Sequence, residues 1–177
     1  MKMESAVFGG GCFWCTEAIF SAMKGVETVM PGYAGGSLEN PTYEQVSQGN
    51  TGHAEVIKID FDSDIVKFRD LLEVFFSTHD PTQLNKQGND VGTQYRSTVL
   101  YASEDQKQQA QKFIQELTED QVFHNPIVTT LEPLGKFYPA EDYHRDYFKN
   151  NPSEPYCTIV INPKVEKFKK KYATMLK

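Results

Sequence analysis

Three cysteines and a few loop-borne carboxylates and phenols are the chemically capable residues of this 177-residue chain. Cys12 follows Gly9-Gly10-Gly11 and opens a predicted helix. Small residues let the backbone turn sharply and let another molecule approach closely, and a helix N-terminus favours a thiolate over a thiol. The expectation is therefore a reactive thiol of lowered pKa at Cys12, beside the alternative that a cysteine here only packs in the core. Cys15 completes Cys12-Phe13-Trp14-Cys15, the spacing of a dithiol redox motif. It also lies on the apolar face of that helix, so a role as a small core residue stands beside the redox one. The glycines do not form a phosphate loop, because Trp14 occupies the third glycine position of G-x-G-x-x-G and no Gly-Lys-Ser/Thr follows. A zinc site needs four ligands. Cys157 and four scattered histidines supply no second C-x-x-C, so no metal is expected.

Glu55 lies in Ala54-Glu55-Val56-Ile57-Lys58-Ile59-Asp60-Phe61, a segment that reads as a strand. Side chains alternate along a strand, so Glu55 shares a face with Ile57, Ile59 and Phe61. A carboxylate on an apolar face has its pKa raised and becomes a proton donor near neutral pH. The alternative is that Glu55, at the strand entrance, reaches solvent. Tyr43, Tyr95 and Asp90 sit in Gly- and Asn-rich loops, where polar groups are available to a ligand. His79, beside Asp80-Pro81, marks a helix end. His53, His124 and His144 read as structural. A Cys–His–Asp hydrolase can be assembled from these residue types, but nothing local supports one.

The elements that must position these groups follow from periodicity. Strands are expected over 4–9, 26–34, 54–61 and 97–102. Helices are expected over about 13–23 and through Ile65, Phe68, Leu72 and Phe75 or Phe76. The order is β-α-β-β-α-β, the pattern of a split βαβ. The fold class is α+β, a ferredoxin-like two-layer sandwich with extra helices, strands and long loops. The additions are a helix at 104–117, a strand near 127–132, a short helix near 141–149, a strand near 157–161 and a terminal helix. Residues 1–177 form a single catalytic domain on this reading, since the length suits one compact core. A chain of this size buries roughly 70% of its unfolded surface and needs no staples, so three cysteines need not be structural.

Charge and composition exclude whole classes. The net charge is −6, which argues against nucleic-acid binding. Six lysines and one glutamate from Lys164 onward read as the solvated face of a docked helix, with Val165, Phe168, Tyr172 and Met175 inward. No apolar run approaches the roughly 18 residues of a membrane span, so no membrane partner is expected. The residues before the first strand lack a secretory pattern, giving a cytoplasmic expectation.

Six segments occur in a telling order: Gly-Gly-Cys12-Phe13-Trp14; Gly35-Gly36; Asn40-Pro41-Thr42-Tyr43-Glu44; Thr51-Gly52-His53-Ala54-Glu55-Val56; Gly92-Thr93-Gln94-Tyr95-Arg96-Ser97; and Phe137-Tyr138-Pro139-Ala140-Glu141-Asp142-Tyr143-His144. Together they closely resemble the peptide methionine sulfoxide reductases of the A class, which reduce the S epimer, and the likeness runs from about residue 5 to 161.

The resemblance implies a mechanism. Cys12 attacks the sulfoxide sulfur and becomes a sulfenic acid. Glu55 protonates the sulfoxide oxygen, helped by Tyr43 and Tyr95. Phe13 and Trp14 form the pocket for the S-methyl group, and Asp90 belongs to the polar wall. A second cysteine then forms a disulfide that thioredoxin reduces, with no bound cofactor. Cys157 in Pro155-Tyr156-Cys157 matches a resolving position of many relatives and is preferred. Cys15, where many relatives carry glycine, is the alternative. The recycling cysteine that some relatives carry further along is missing here. Oxidised proteins, peptides and free methionine sulfoxide are the expected substrates. Two rival readings remain: a thioredoxin-like dithiol oxidoreductase using Cys12 and Cys15, and a non-enzymatic module that binds oxidised methionine peptides.

Overall fold

The computed structural model describes residues 1–177. Its first half runs β1 (Met3–Gly9), α1 (Phe13–Ser21), β2 (Val26–Ala34), α2 (Tyr43–Ser47), β3 (Ala54–Asp62) and α3 (Phe68–Thr78). A two-stranded ribbon follows, β4 (Lys86–Gln87) with β5 (Asp90–Val91), then a 3₁₀ turn (Thr93–Tyr95) and β6 (Thr98–Tyr101). The second half adds α4 (Glu104–Glu119), β7 (Thr130–Pro133), β8 (Phe137–Pro139), α5 (Tyr147–Asn150) and α6 (Asn162–Lys171). This is a mixed α/β fold around one six-stranded sheet of order β7-β6-β1-β3-β2-β8. Only the β6–β7 pair is parallel.

Alternation in β1 and β3 sorts the two faces. Ala6 and Phe8 lie opposite Ile59 and Ile57, and with Phe61 they join the large core under the helices. That core takes Ile19 and Phe20 from α1, Leu72, Phe75 and Phe76 from α3, and Ala110 and Phe113 from α4. The other face carries Val7, Ala54, Val56 and Leu100, covered by Leu134 and Phe137. Phe8 and Phe75 stack with centroids 4.8 Å apart, which fastens α3 to the central strand. Glu55, at the start of β3, is paired in register with Tyr33 of β2 and shares the helix-side face with Ile57.

Three expectations change. The segment 157–161 is not a strand but a wide, π-type helical turn (Cys157–Ile161) leading straight into α6. Its β-branched run favours a strand in isolation, yet both sheet edges are taken by β7 and β8. Cys157, Ile161, Val165, Phe168 and Tyr172 are all buried, a spacing of three and four that a helix places on one face. Pro163 falls in the first turn of α6, where its missing N–H does no harm. The helix expected at 141–149 breaks into a 3₁₀ turn (Asp142–His144) and α5, separated by Asp146 in the left-handed region. Strand β8 was not anticipated; three residues carry too little periodicity to register.

Candidate active site

The turn before α1 determines where Cys12 lies. Gly11 has φ +95°, and a Cβ there would sit 2.8 Å from Gln87 Cβ; only glycine takes this conformation freely. Cys12 is then the extended N-cap of α1 and is partly buried against the core. The next residue holds the acid: Phe13 N–H donates to Glu55 Oε1 at 3.2 Å. Glu55 is 1% exposed, and its Oε2 has no protein partner. Burial pushes its carboxyl up to about 8, so the protonated acid persists at neutral pH. The solvent-reaching alternative for Glu55 is overturned.

The thiol expectation is also corrected. Burial raises Cys12 well above the ordinary thiol value, and a hydrogen bond with the Cys15 thiol and the nearby Glu55 carboxylate act in the same direction. The helix-terminus effect survives only as the Trp14 N–H, which opposes them. Desolvation wins because Cys12 packs against the core instead of facing water. Cys15 is shifted down instead, chiefly by its hydrogen bond with Cys12 and further by Lys164 and Tyr156. Cys157 is fully buried, and burial raises it. All three cysteines are free.

Loops bring the phenols to the same place. Thr42 caps α2 reciprocally with Gln45, at 3.2 and 3.0 Å, which sets Tyr43 at the first helical position. Gly36 lies so close to the backbone of Thr51 and His53 that no side chain fits there. Its N–H donates to His53 Nδ1 at 3.1 Å, and His53 Nε2 donates to Leu38 O at 2.7 Å, so His53 is structural as expected. Tyr95 rides on the 3₁₀ turn anchored by a bidentate Arg96–Glu132 pair at 3.1 and 3.2 Å. Tyr95 feels the charges of Glu55, Tyr43, Asp90 and Cys12. Burial pushes Tyr43 up to about 12 and raises Tyr95 further; both remain hydroxyl donors. Asp90 accepts from Tyr156 Oη at 2.7 Å, joining β5 to the segment just before Cys157.

An aromatic wall completes the site. Phe13 is fully buried, between Tyr33 at 5.7 Å and His144 at 4.9 Å. Trp14 is half-buried; its Nε1–H donates to His144 Nδ1 at 2.9 Å, and Tyr147 stacks on it at 3.7 Å and 5°. Tyr156 meets its edge at 5.9 Å. Glu141 accepts from Tyr33 Oη and Tyr43 N, both at 2.9 Å. His144, read from sequence as structural, lines the site wall, and Glu141, Tyr147 and Tyr156 carry no role in the sequence reading. Glu141 and His144 belong to a quoted motif, and their spacing of three on one tight turn is the signal that could have drawn them in. No three His, Cys, Asp or Glu side chains gather into a group able to hold a metal, and no helix is long and apolar enough to cross a membrane.

A partly buried thiol beside a protonated carboxyl, ringed by phenol donors and an aromatic wall, defines a thiol-dependent reductase site on a mixed α/β sheet. Comparison with known proteins then names the family. Residues 4–176 match the family model described as peptide methionine sulfoxide reductase, and the chain belongs to that family of methionine sulfoxide-reducing enzymes. It is 55% identical over 175 residues to peptide methionine sulfoxide reductase MsrA of Acinetobacter baumannii (strain AYE), covering 99% of each chain. Among solved structures, reduced Mxr1 from Saccharomyces cerevisiae matches with TM-score 0.80 and 32% identity, covering 88% of this chain and 90% of that one. Yeast Mxr1 in complex with Trx2 has the same fold, with TM-score 0.57, 24% identity and coverage of 82% and 85%. The non-enzymatic reading is overturned by this membership.

Proposed function

We propose that this chain reduces methionine-S-sulfoxide, free or in proteins, through a Cys12 sulfenic acid and an intramolecular disulfide that thioredoxin reduces. The observation that carries the reading is Glu55: a buried, protonated carboxyl with one free oxygen beside the Cys12 thiol. In the first step the Cys12 sulfur attacks the sulfoxide sulfur. Glu55 gives its proton to the sulfoxide oxygen and receives the one the thiol loses. Tyr43 and Tyr95 donate to the same oxygen as it gains charge. The hydroxyl then passes from the substrate sulfur to the Cys12 sulfur as the S–O bond and the transient S–S bond break. This gives Cys–SOH and the thioether, which is reduced by the two electrons Cys12 loses. Phe13 is the floor and Trp14 the wall of the methyl pocket, while Asp90 holds the polar side through Tyr156.

For the second step the arrangement supports Cys15 as the resolving thiol, reversing the sequence preference for Cys157. Cys15 lies one helical turn from Cys12, its N–H bonded to Cys12 O at 3.1 Å, and is the thiol shifted toward thiolate, whereas Cys157 is shifted away from it. Attack of Cys15 on the sulfenic sulfur forms the Cys12–Cys15 disulfide and releases water. Yeast Mxr1 solved with Trx2 supports a thioredoxin as the reductant, with no bound cofactor, and three free thiols suit a reducing, cytoplasmic setting. We also read the antiparallel run β6-β1-β3-β2 as a ferredoxin-like core within one catalytic unit.

The decisive experiment is reduction of the separated sulfoxide epimers. Wild type is expected to turn over the S form only, and Cys12→Ser neither. Turnover of the R form, or activity in Cys12→Ser, overturns the reading. Peptide mapping of the oxidised Cys157→Ser variant is expected to show a Cys12–Cys15 disulfide; an unresolved sulfenic acid there would return the role to Cys157.

A further inference from the structure

One buried carboxylate takes no part in this chemistry. Glu17 lies one turn beyond Trp14 on α1 and is 3% exposed. Its Oε2 accepts the backbone N–H of Asp146 at 3.0 Å, the residue immediately before Tyr147. Asp146 holds φ 52° and ψ 33°, a conformation that a non-glycine residue keeps only when its surroundings over-determine it. Immediately after this bend, Tyr147 lies flat on Trp14, with planes 5° apart. The indole is thus held on its edge by His144 and on its face by Tyr147, and Tyr147 is held in turn from α1 itself. An apolar residue at position 17 would fill the same space without the cost of desolvating a carboxyl. What the position uses is therefore the hydrogen bond accepted from Asp146.

We infer that Glu17 is a positioning residue of the enzyme: by clamping Asp146 and Tyr147 onto α1 it keeps the Tyr147 ring on Trp14 and so fixes the wall of the substrate pocket. The consequence for substrate rests on the pocket role given to Trp14 above; the clamp itself does not. Trp14 is the only tryptophan of the chain, so its emission reads the stack without substrate.

Glu17→Ala is expected to raise KM for methionine sulfoxide about tenfold, the equivalent of one charge-assisted hydrogen bond. kcat is expected to stay within about threefold, since the clamp does not touch the reacting atoms. Trp14 emission in the substrate-free enzyme shifts with it. Glu17→Gln keeps a carbonyl acceptor and restores both KM and emission toward wild type. Glu17→Asp falls one methylene short of Asp146 and behaves like the alanine variant, which keeps the test available if Glu17→Ala does not fold. In a Tyr147→Ala background, Glu17→Ala adds no further loss. Unchanged Trp14 emission in folded Glu17→Ala or Glu17→Asp, or effects that add fully with Tyr147→Ala, overturn the inference. Altered emission with unchanged KM upholds the clamp and instead removes Trp14 from the pocket, so the two failures are distinguishable.

Discussion

Glu55 bears on the ionisation of Cys12, and burial sets both. Each is shifted so that its neutral form persists at pH 7, so Glu55 can hand its proton to the sulfoxide oxygen while taking the one the thiol loses, leaving no net charge in a low-dielectric site. Glu55→Gln keeps the shape and removes the acid; kcat/KM is expected to fall by about 10²–10⁴, the usual weight of general acid catalysis. Its pH profile carries the same signature. Wild-type activity that depends on protonated Glu55 declines as pH rises through about 8, and the glutamine variant loses that limb. The same substitution removes a buried carboxyl that must ionise at high pH, so at pH 9 its urea midpoint is expected to exceed that of wild type. A lower midpoint would contradict the burial argument.

Elements decide which of these groups meet. Gly11 turns the chain from β1 into α1 with φ +95° and no room beside Gln87. Gly11→Ala is expected to cost on the order of 1–3 kcal/mol and to lower kcat/KM, because Cys12 is the next residue; denaturation and steady-state assays check both. This part of the site was legible in sequence: the glycines before Cys12 announce a turn, and the alternation from Glu55 to Phe61 announces a buried carboxyl. The low thiol pKa was misread because a helix start in sequence does not reveal how deeply its cap packs. The wall around Trp14 was not legible, since His144 and Tyr147 come from some 130 residues away and reach it only through the sheet. The turn Cys157–Ile161 was read as a strand because its side chains are β-branched. Only its continuation to Val165 and Phe168 betrays the helix, and no local window holds that signal.

At the scale of the whole molecule, three buried titratable groups shape stability against pH. Glu55 and Glu17 have folded values of about 8 and about 7, above the ordinary 4.5. Their stabilising protonation is fully present below about 4.5 and is lost as pH rises through those values. His79, buried and hydrogen-bonded to Phe75 O and Ser97 Oγ, has its value lowered from 6.5 to about 4. Its contribution is present above 6.5 and lost as pH falls toward 4. Above 4.5 the two carboxyls together outweigh the histidine, so thermal denaturation across pH is expected to show these groups' maximum stability near pH 4.5 and a steady decline toward pH 8; stability rising from pH 5 to 8 would contradict these assignments. The net charge of −6 bears on none of this chemistry, because methionine sulfoxide carries no net side-chain charge. kcat/KM for a blocked, neutral substrate is expected to change less than about twofold between 0.05 and 0.5 M salt.

The two outermost strands carry a further meaning. β7 has four residues and ends on Pro133, and β8 has three and ends on Pro139. Short edges closed by proline offer no row of free amides on which an extended chain can dock. A protein of a peptide methionine sulfoxide reductase family meets peptide chains as a matter of course. With its sheet margins blunted, it can handle them at the thiol end of the sheet without seeding their aggregation along its sides.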